Sequence, residues 1–267
     1  MSERRNPCEK HLTALLGLVL VLLMTGCGEK SEAFSFPQEG RGYIDPAEFS
    51  RVYADPAGYR GKYIKLAGRA ISTLDRHTGE SSFLFIPEGY SSPIAVHSAD
   101  PSLQIEEGEI LLVDGKFWST KNASADLPHL AAADLVHSTY KDAIRPTLKE
   151  VSPALTRVQE GCSVTVEKVE LAKEETRLYL RVQNTGGASV SYQAGYPVQD
   201  GVQYAETFNV EARYESLPGD ILPGVTAAGV VAFPALKDSG ALQINLQILS
   251  EDYTADFAPF AFSLSLF

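Results

Sequence analysis

Few side chains in this sequence have the type and spacing that catalysis or metal binding requires. The 267 residues include five histidines and three cysteines. A metal would have to draw on His77, His97, His129 and His137 with Cys162. Zinc sites place ligands at short regular spacing, as in His-x-x-x-His or Cys-x-x-Cys, so that they share a face. None of these residues has such a neighbour. Asp75-Arg76-His77 is the one close acid–histidine pair and reads as a polar turn. Asp126, His129 and Asp134 are near in sequence, but no spacing requires them to converge. An Asp-x-Asp-x-Asp-Gly calcium loop is absent. No metal and no cofactor is expected.

Hydrolytic chemistry finds no better footing. The sequence has no Gly-x-Ser-x-Gly elbow, no His-Glu-x-x-His helix and no Gly-x-x-x-x-Gly-Lys phosphate loop. Cys162 leads into Val164 and Val166, which alternate as a strand does, so it reads as a half-buried structural thiol. A carboxylate pair for glycoside cleavage has too many candidates for spacing to select one. The chain is expected not to be an enzyme, with an enzyme of unrecognised type as the remote alternative.

Binding by surfaces is what remains. Tyr63, Phe83, Phe85, Phe117 and Trp118 could form an aromatic platform beside the basic strip Arg60, Lys62, Lys65 and Arg69. Residues 43–145 nevertheless hold ten Lys/Arg against fourteen Asp/Glu, and the whole chain carries a net charge of −11. Phosphate backbones need concentrated cationic surface, so no nucleic-acid partner is expected. Tyr90 and Trp118 could instead meet a small ligand or a cell-wall glycan. Further along, Tyr192-Gln-Ala-Gly-Tyr196 with Pro197, and residues 214–220, have the composition of recognition loops. The candidate binding surface is therefore Tyr63, Phe83, Tyr90, Trp118, Tyr192 and Tyr196.

The elements that must position these groups are mostly strands. Asp45 can cap a helix with Pro46 in its first turn and Glu48 completing a capping box. Phe49, Val52 and Tyr53 then share one face, and Asp55-Pro56 ends the helix. Strand-like segments follow at 63–71, 82–86, 94–97, 110–118 and 130–136, punctuated by Gly and Ser. Five short strands in so few residues suggest a small, partly closed barrel. After about residue 155 the pattern is all β. Leu178, Leu180 and Val182 alternate with polar residues, as do Ile244, Leu246 and Ile248, and Phe260, Phe262, Leu264 and Leu266. About seven such strands argue for a β-sandwich. The expected fold class is mainly β: a five-stranded barrel with a leading helix, then an immunoglobulin-like sandwich.

The first 26 residues set the expected compartment. Arg4, Arg5 and Lys10 precede an apolar run of only 13 residues, 12–24, which is too short to span a bilayer and suits a signal peptide. The sequence Leu23-Met24-Thr25-Gly26-Cys27 resembles a bacterial lipobox, with Met24 where Leu is usual. The resemblance implies cleavage before Cys27 and acylation of its thiol, hence a lipid anchor on the extracytoplasmic face of the cell membrane. Cys162 would then be the only remaining thiol, and no intramolecular disulfide could form.

Two further resemblances concern the domains. Tyr59-Arg-Gly-Lys-Tyr-Ile-Lys-Leu-Ala-Gly68, Glu107-Gly-Glu-Ile-Leu-Leu-Val-Asp-Gly-Lys116 and Leu127-Pro-His-Leu-Ala-Ala-Ala-Asp-Leu135 resemble strands of OB-fold domains in bacterial envelope proteins, closest to the tRNA-anticodon-like group. Segment 164–171, Arg177-Leu-Tyr-Leu-Arg-Val-Gln-Asn-Thr-Gly186, Asp200-Gly-Val-Gln-Tyr204, Leu222-Pro-Gly224 and Gly229-Val-Val-Ala-Phe233 resemble telokin-like immunoglobulin-fold domains of bacterial lipoproteins. That family brings no catalytic residues. The organisation expected is a signal peptide at 1–26, a polar tether at 27–42, an OB-like domain at 43–145, a linker at 146–154 and the sandwich at 155–267. The implied role is a non-catalytic adaptor that engages an envelope protein through the sandwich. The alternative is a small-ligand or glycan-binding lipoprotein that uses the barrel groove.

Overall fold

The computed structural model describes residues 42–77, 80–118, 127–251 and 255–267. All of them belong to one compact unit, Phe36–Phe267. The segments expected as signal peptide and tether, up to residue 41 and including Cys27, lie outside the described residues, as do Asp126 and the side chain of His77.

The leading helix forms as a short 3-10 turn, Pro46–Glu48, followed by helix α1, Ser50–Ala54. Asp45 Oδ1 accepts from the Ala47 N–H at 2.9 Å, which is the expected cap. Glu48 does not close a capping box and instead pairs with Arg51 at 3.3 Å. Phe49 and Val52 are fully buried, and Asp55 accepts from Gly58 N–H as the chain turns toward the first strand.

Six strands follow: β1 (Tyr63–Ala70), β2 (Asp75–His77), β3 (Glu80–Pro87), β4 (Ile94–Ser98), β5 (Ile110–Trp118) and β6 (His129–Ser138). Their order is β1-β5-β6-β4-β3-β2, and β1 also pairs with β3, so five strands close into a barrel with β2 as a flap on β3. The β4–β6 pairing is parallel and all others are antiparallel, which is OB-like topology. Closure depends on Gly68, where a Cβ would lie 2.2 Å from the Ile86 carbonyl oxygen. Period-two alternation puts Phe83, Phe85, Val96, Val113, Phe117 and Leu130 inside. The leading helix seals the end where β1 begins, with Ile44 N–H bonded to Tyr63 O. The 99–109 segment, with Leu103 and Ile105 buried, seals the end where β1 finishes, with Gly108 N–H bonded to Ala70 O.

A π-helical turn, Tyr140–Ile144, leads out of the barrel, and Tyr140 and Ile144 pack on Ile110. The next residues correct the linker expected at 146–154. Strand β7 (Thr147–Val151) pairs with β9 (Cys162–Ala172), and β8 (Leu155–Gln159) pairs with the other half of β9. Prolines at 146 and 153 bracket β7, and Leu148 faces outward at 71% exposure, so the segment lacked the inward pattern of a strand.

The sandwich continues with β10 (Glu175–Asn184), β11 (Val190–Gln199), β12 (Val202–Gln203), β13 (Thr226–Pro234), β14 (Ala241–Ser250) and β15 (Phe260–Ser265). One sheet runs β13-β10-β9-β7 with β8 also on β9, and the other runs β12-β11-β14-β15. Non-consecutive neighbours β10–β13 and β11–β14 give the Greek-key crossing of an immunoglobulin-like sandwich. Cys162, Val164, Leu180, Val182, Ile244, Leu246, Phe260 and Phe262 fill the space between the sheets.

A buried charge network joins the barrel's exit to the sandwich. Arg177 on β10 is fully buried and donates to Glu170 at 2.9 Å, Glu175 at 2.7 Å, Thr147 Oγ1 at 2.7 Å and the Arg145 carbonyl at 2.9 Å. Lys141 and Lys168 reach Glu170 at 2.9 and 2.6 Å, and Tyr179 donates to it at 3.0 Å. Burial alone would raise the Glu170 pKa. The hydrogen bonds from Lys168, Lys141 and Tyr179, with the Arg177 charge, outweigh it and hold the carboxyl down at about 2.

Candidate functional site

The six candidate residues do not form one surface. Phe83 points into the barrel from an inward position of β3, whereas Tyr63, on the face of β1 opposite Ile64 and Leu66, is covered by the Tyr43 ring edge-on to it; each is 3% exposed. Tyr90 stacks edge-on to Phe49 and donates to the Pro46 carbonyl at 3.2 Å, so it helps to fasten the leading helix. Tyr192-Gln-Ala-Gly-Tyr196 is not a loop but the middle of β11, where a bulge between Tyr192 and Ala194 interrupts the alternation. Tyr192 donates to Glu206, which also accepts from Gly195 N–H, and its ring packs against the sandwich core. Gly195 leaves room for that ring, since a Cβ there would sit 2.8 Å from the Tyr192 hydroxyl. Residues 214–220 do run without regular structure.

Trp118 differs from the other five. It is half-buried on the outer face of the barrel, at the last position of β5 and in register with His129 on β6. Its ring stands edge-on to His97 (5.2 Å between centroids, 90°) and to His129 (5.8 Å, 85°). His97 on β4 and His129 are themselves bonded, Nε2 to Nδ1 at 2.8 Å. Glu80, the first residue of β3, holds His97 Nδ1 at 2.5 Å. Four strands thus contribute one outward side chain each.

The hydrogen-bond chain has a direction. A carboxylate accepts, so His97 Nδ1 carries a proton toward Glu80. His97 Nε2 then accepts from His129 Nδ1–H, which among the described residues leaves His129 Nε2 as the open acceptor at the far end. Burial lowers the pKa of His97, although Glu80 pulls the other way, and burial with the neighbouring His97 lowers that of His129. Both imidazoles are therefore neutral near pH 7. Trp118 supplies an aromatic edge, His129 an acceptor and Glu80 a negative charge. That set suits a ligand with hydroxyl donors and C–H faces.

Glu80 escaped the sequence reading, which weighed His97 and His129 only as metal ligands. Their outward parity was legible from Val96 and Leu130, but their meeting depends on the parallel β4–β6 pairing, which no local spacing reveals. Asp134 does not join His129. It lies opposite Asp114 in β5, beside Lys65. Among the described residues no group of three potential ligands converges as a metal would require.

The basic strip is engaged within the protein. Lys62 lies over the Tyr59 ring at 4.6 Å, Lys65 pairs with Asp114 at 3.3 Å, and Arg69 donates to the Gly108 and Glu211 carbonyls. Cys162 is fully buried, and burial pushes its thiol up to about 11, far from the range of a nucleophile.

Comparison with known proteins adds little to this geometry. No family model matches the chain, and no curated protein matches it. Among solved structures, the crystal structure of a conserved domain protein from Bacillus anthracis aligns over 74% of this chain and 91% of its own, with 10% identity and a TM-score of 0.34. The class defined by the coordinates alone is a closed OB-like barrel followed by an immunoglobulin-like sandwich.

Proposed function

We propose that this chain is a lipid-anchored, extracytoplasmic binding protein without a catalytic step, and that its barrel holds a cell-wall glycan against Trp118. The observation that carries the reading is the partly exposed tryptophan set beside the Glu80–His97–His129 chain. Sugars are bound where C–H faces meet an aromatic ring and hydroxyls meet fixed acceptors, and this face offers both. The anchor rests on the lipobox-like Leu23–Cys27 sequence, from which residues 27–42 would tether the barrel directly, with the telokin-like sandwich following it in the chain.

A protein partner bound through the sandwich is the second reading. It is favoured by Phe208 at 91% and Val210 at 72% exposure, on the segment that crosses the open edge of β13. Calorimetry with soluble peptidoglycan fragments separates the two. Saturable binding that Trp118→Ala abolishes and Phe208→Ser leaves intact supports the glycan reading. Absence of heat with every fragment, together with capture of one envelope protein that Phe208→Ser loses, would replace it by the adaptor.

A further inference from the structure

A second cleft lies away from Trp118, between the barrel and the segment leading into β13. It encloses about 310 Å³ and is lined by Arg69, Gly108, Ile110, Ser138, Tyr140 and Arg213, among others. Its floor is apolar: Ile110 and Tyr140 are buried with Ile144, and Ala212 packs against them.

Two guanidinium groups meet on one glycine at its wall. Arg69, with 21% of its side chain exposed, donates to the Gly108 carbonyl at 2.8 Å and to the Glu211 carbonyl at 2.9 Å. Arg213 lies against the same residue, where a Cβ would be 2.4 Å from its Nη2. Gly108 itself has a φ of +90°, which also favours glycine. Arg213 adopts a left-handed backbone, φ 49 and ψ 36, which a non-glycine residue takes only under constraint from its surroundings. Yet among the described residues its guanidinium makes no hydrogen bond or ion pair.

Two carboxylates also line the cleft. Glu109 is committed to Glu106 N–H at 3.1 Å and to His137 at 3.3 Å, and Glu211, 69% exposed, reaches Arg69 only at 4.0 Å. Arg213 is exposed and its charge is met by solvent in the free protein, so an anion seated between the two guanidinium groups would add a counter-charge beyond the 4.0 Å contact of Arg69 with Glu211. A guanidinium fork matches the paired oxygens of a carboxylate or phosphoryl group.

We propose that this cleft binds a small organic anion, with its carboxylate or phosphoryl group on Arg213 and Arg69 and its apolar body on Ile110 and Tyr140. The site is separate from the Trp118 face and stands or falls independently of the glycan reading.

The test titrates the full chain, in detergent at constant ionic strength, with benzoate and phenyl phosphate, and with benzyl alcohol as the uncharged counterpart. Binding is followed by calorimetry. Saturable binding of at least one anion, tenfold or more tighter than the alcohol, is expected, and the tighter of the two anions identifies the head group. Arg213→Gln should weaken it at least tenfold. Arg213→Gly, which relaxes the left-handed backbone, should weaken it equally while melting no lower than the parent. Trp118→Ala should leave it unchanged. Failure of both anions to saturate, or equal affinity in the two Arg213 variants and the parent, would overturn the proposal.

Discussion

Replacing Arg177 by methionine removes the cation that binds the barrel's exit to the sandwich. The substitution keeps most of the side-chain volume, so its cost is chiefly electrostatic. Glu175 loses its 2.7 Å partner, Glu170 keeps Lys141 and Lys168, and Thr147 and the Arg145 carbonyl lose their donors. Breaking a buried ion pair from one side costs about 3–5 kcal/mol. For a chain of this size that corresponds to a fall in Tm of roughly 6–20 °C. The same network carries a pH dependence. Glu170 releases its proton near 2 in the folded state against 4.5 ordinarily, so its stabilisation is complete above pH 4.5 and is lost as the pH falls toward 2. That shift corresponds to about 3 kcal/mol, since one pKa unit is about 1.4 kcal/mol. Urea unfolding followed by tryptophan fluorescence and far-ultraviolet circular dichroism is the assay. Trp118 is the single tryptophan and reports the barrel, whereas dichroism reports both domains. The parent should show coincident transitions, and Arg177→Met should separate them. A variant within 1 kcal/mol of the parent, still with coincident transitions, would refute the reasoning, because a network worth so little could not couple the domains.

Other substitutions probe single features. Gly68→Ala places a methyl on the Ile86 carbonyl and should destabilise the barrel by at least about 1–3 kcal/mol, measured by denaturant titration. The peptide containing Cys162 should resist alkylation in the native protein at pH 8 and react once unfolded, as mass spectrometry would show; stoichiometric native labelling would contradict its burial. His97 and His129 are neutral in the fold, so the stability they contribute is full above pH 6.5 and declines as the pH falls through their lowered folded values. NMR titration of the two imidazoles should find both below 6.5, and either one at or above it would be the contrary result. Cys27→Ser should abolish incorporation of labelled palmitate in bacteria and release the chain from the membrane fraction; retention of both label and membrane association would contradict the proposed anchor.

Alternation made most of the barrel legible. Segment 110–118 reads as β5 with the same bounds in sequence and structure, because Val113, Gly115 and Phe117 face inward without interruption. The β11 strand was not legible, because Gly195, Pro197 and the bulge after Tyr192 imitate a loop. Pro197 is tolerated because its carbonyl, not a missing N–H, bonds Tyr204. Aromatic composition does not report exposure: Phe83 has the right chemistry but the inward parity, and Tyr63 has the outward parity but lies under the Tyr43 ring. The Trp118 face needed knowledge of which strands are neighbours. Its three partners come from residues 80, 97 and 129, brought together by pairing across the sheet rather than by any motif.

The most direct test of a glycan site on the barrel is a fluorescence titration of Trp118 with soluble peptidoglycan fragments. The account predicts a saturable change in intensity and emission maximum, weakened at least tenfold by His129→Ala in the folded protein. An unchanged spectrum while the same fragments bind by calorimetry, or no binding by either method, would contradict it.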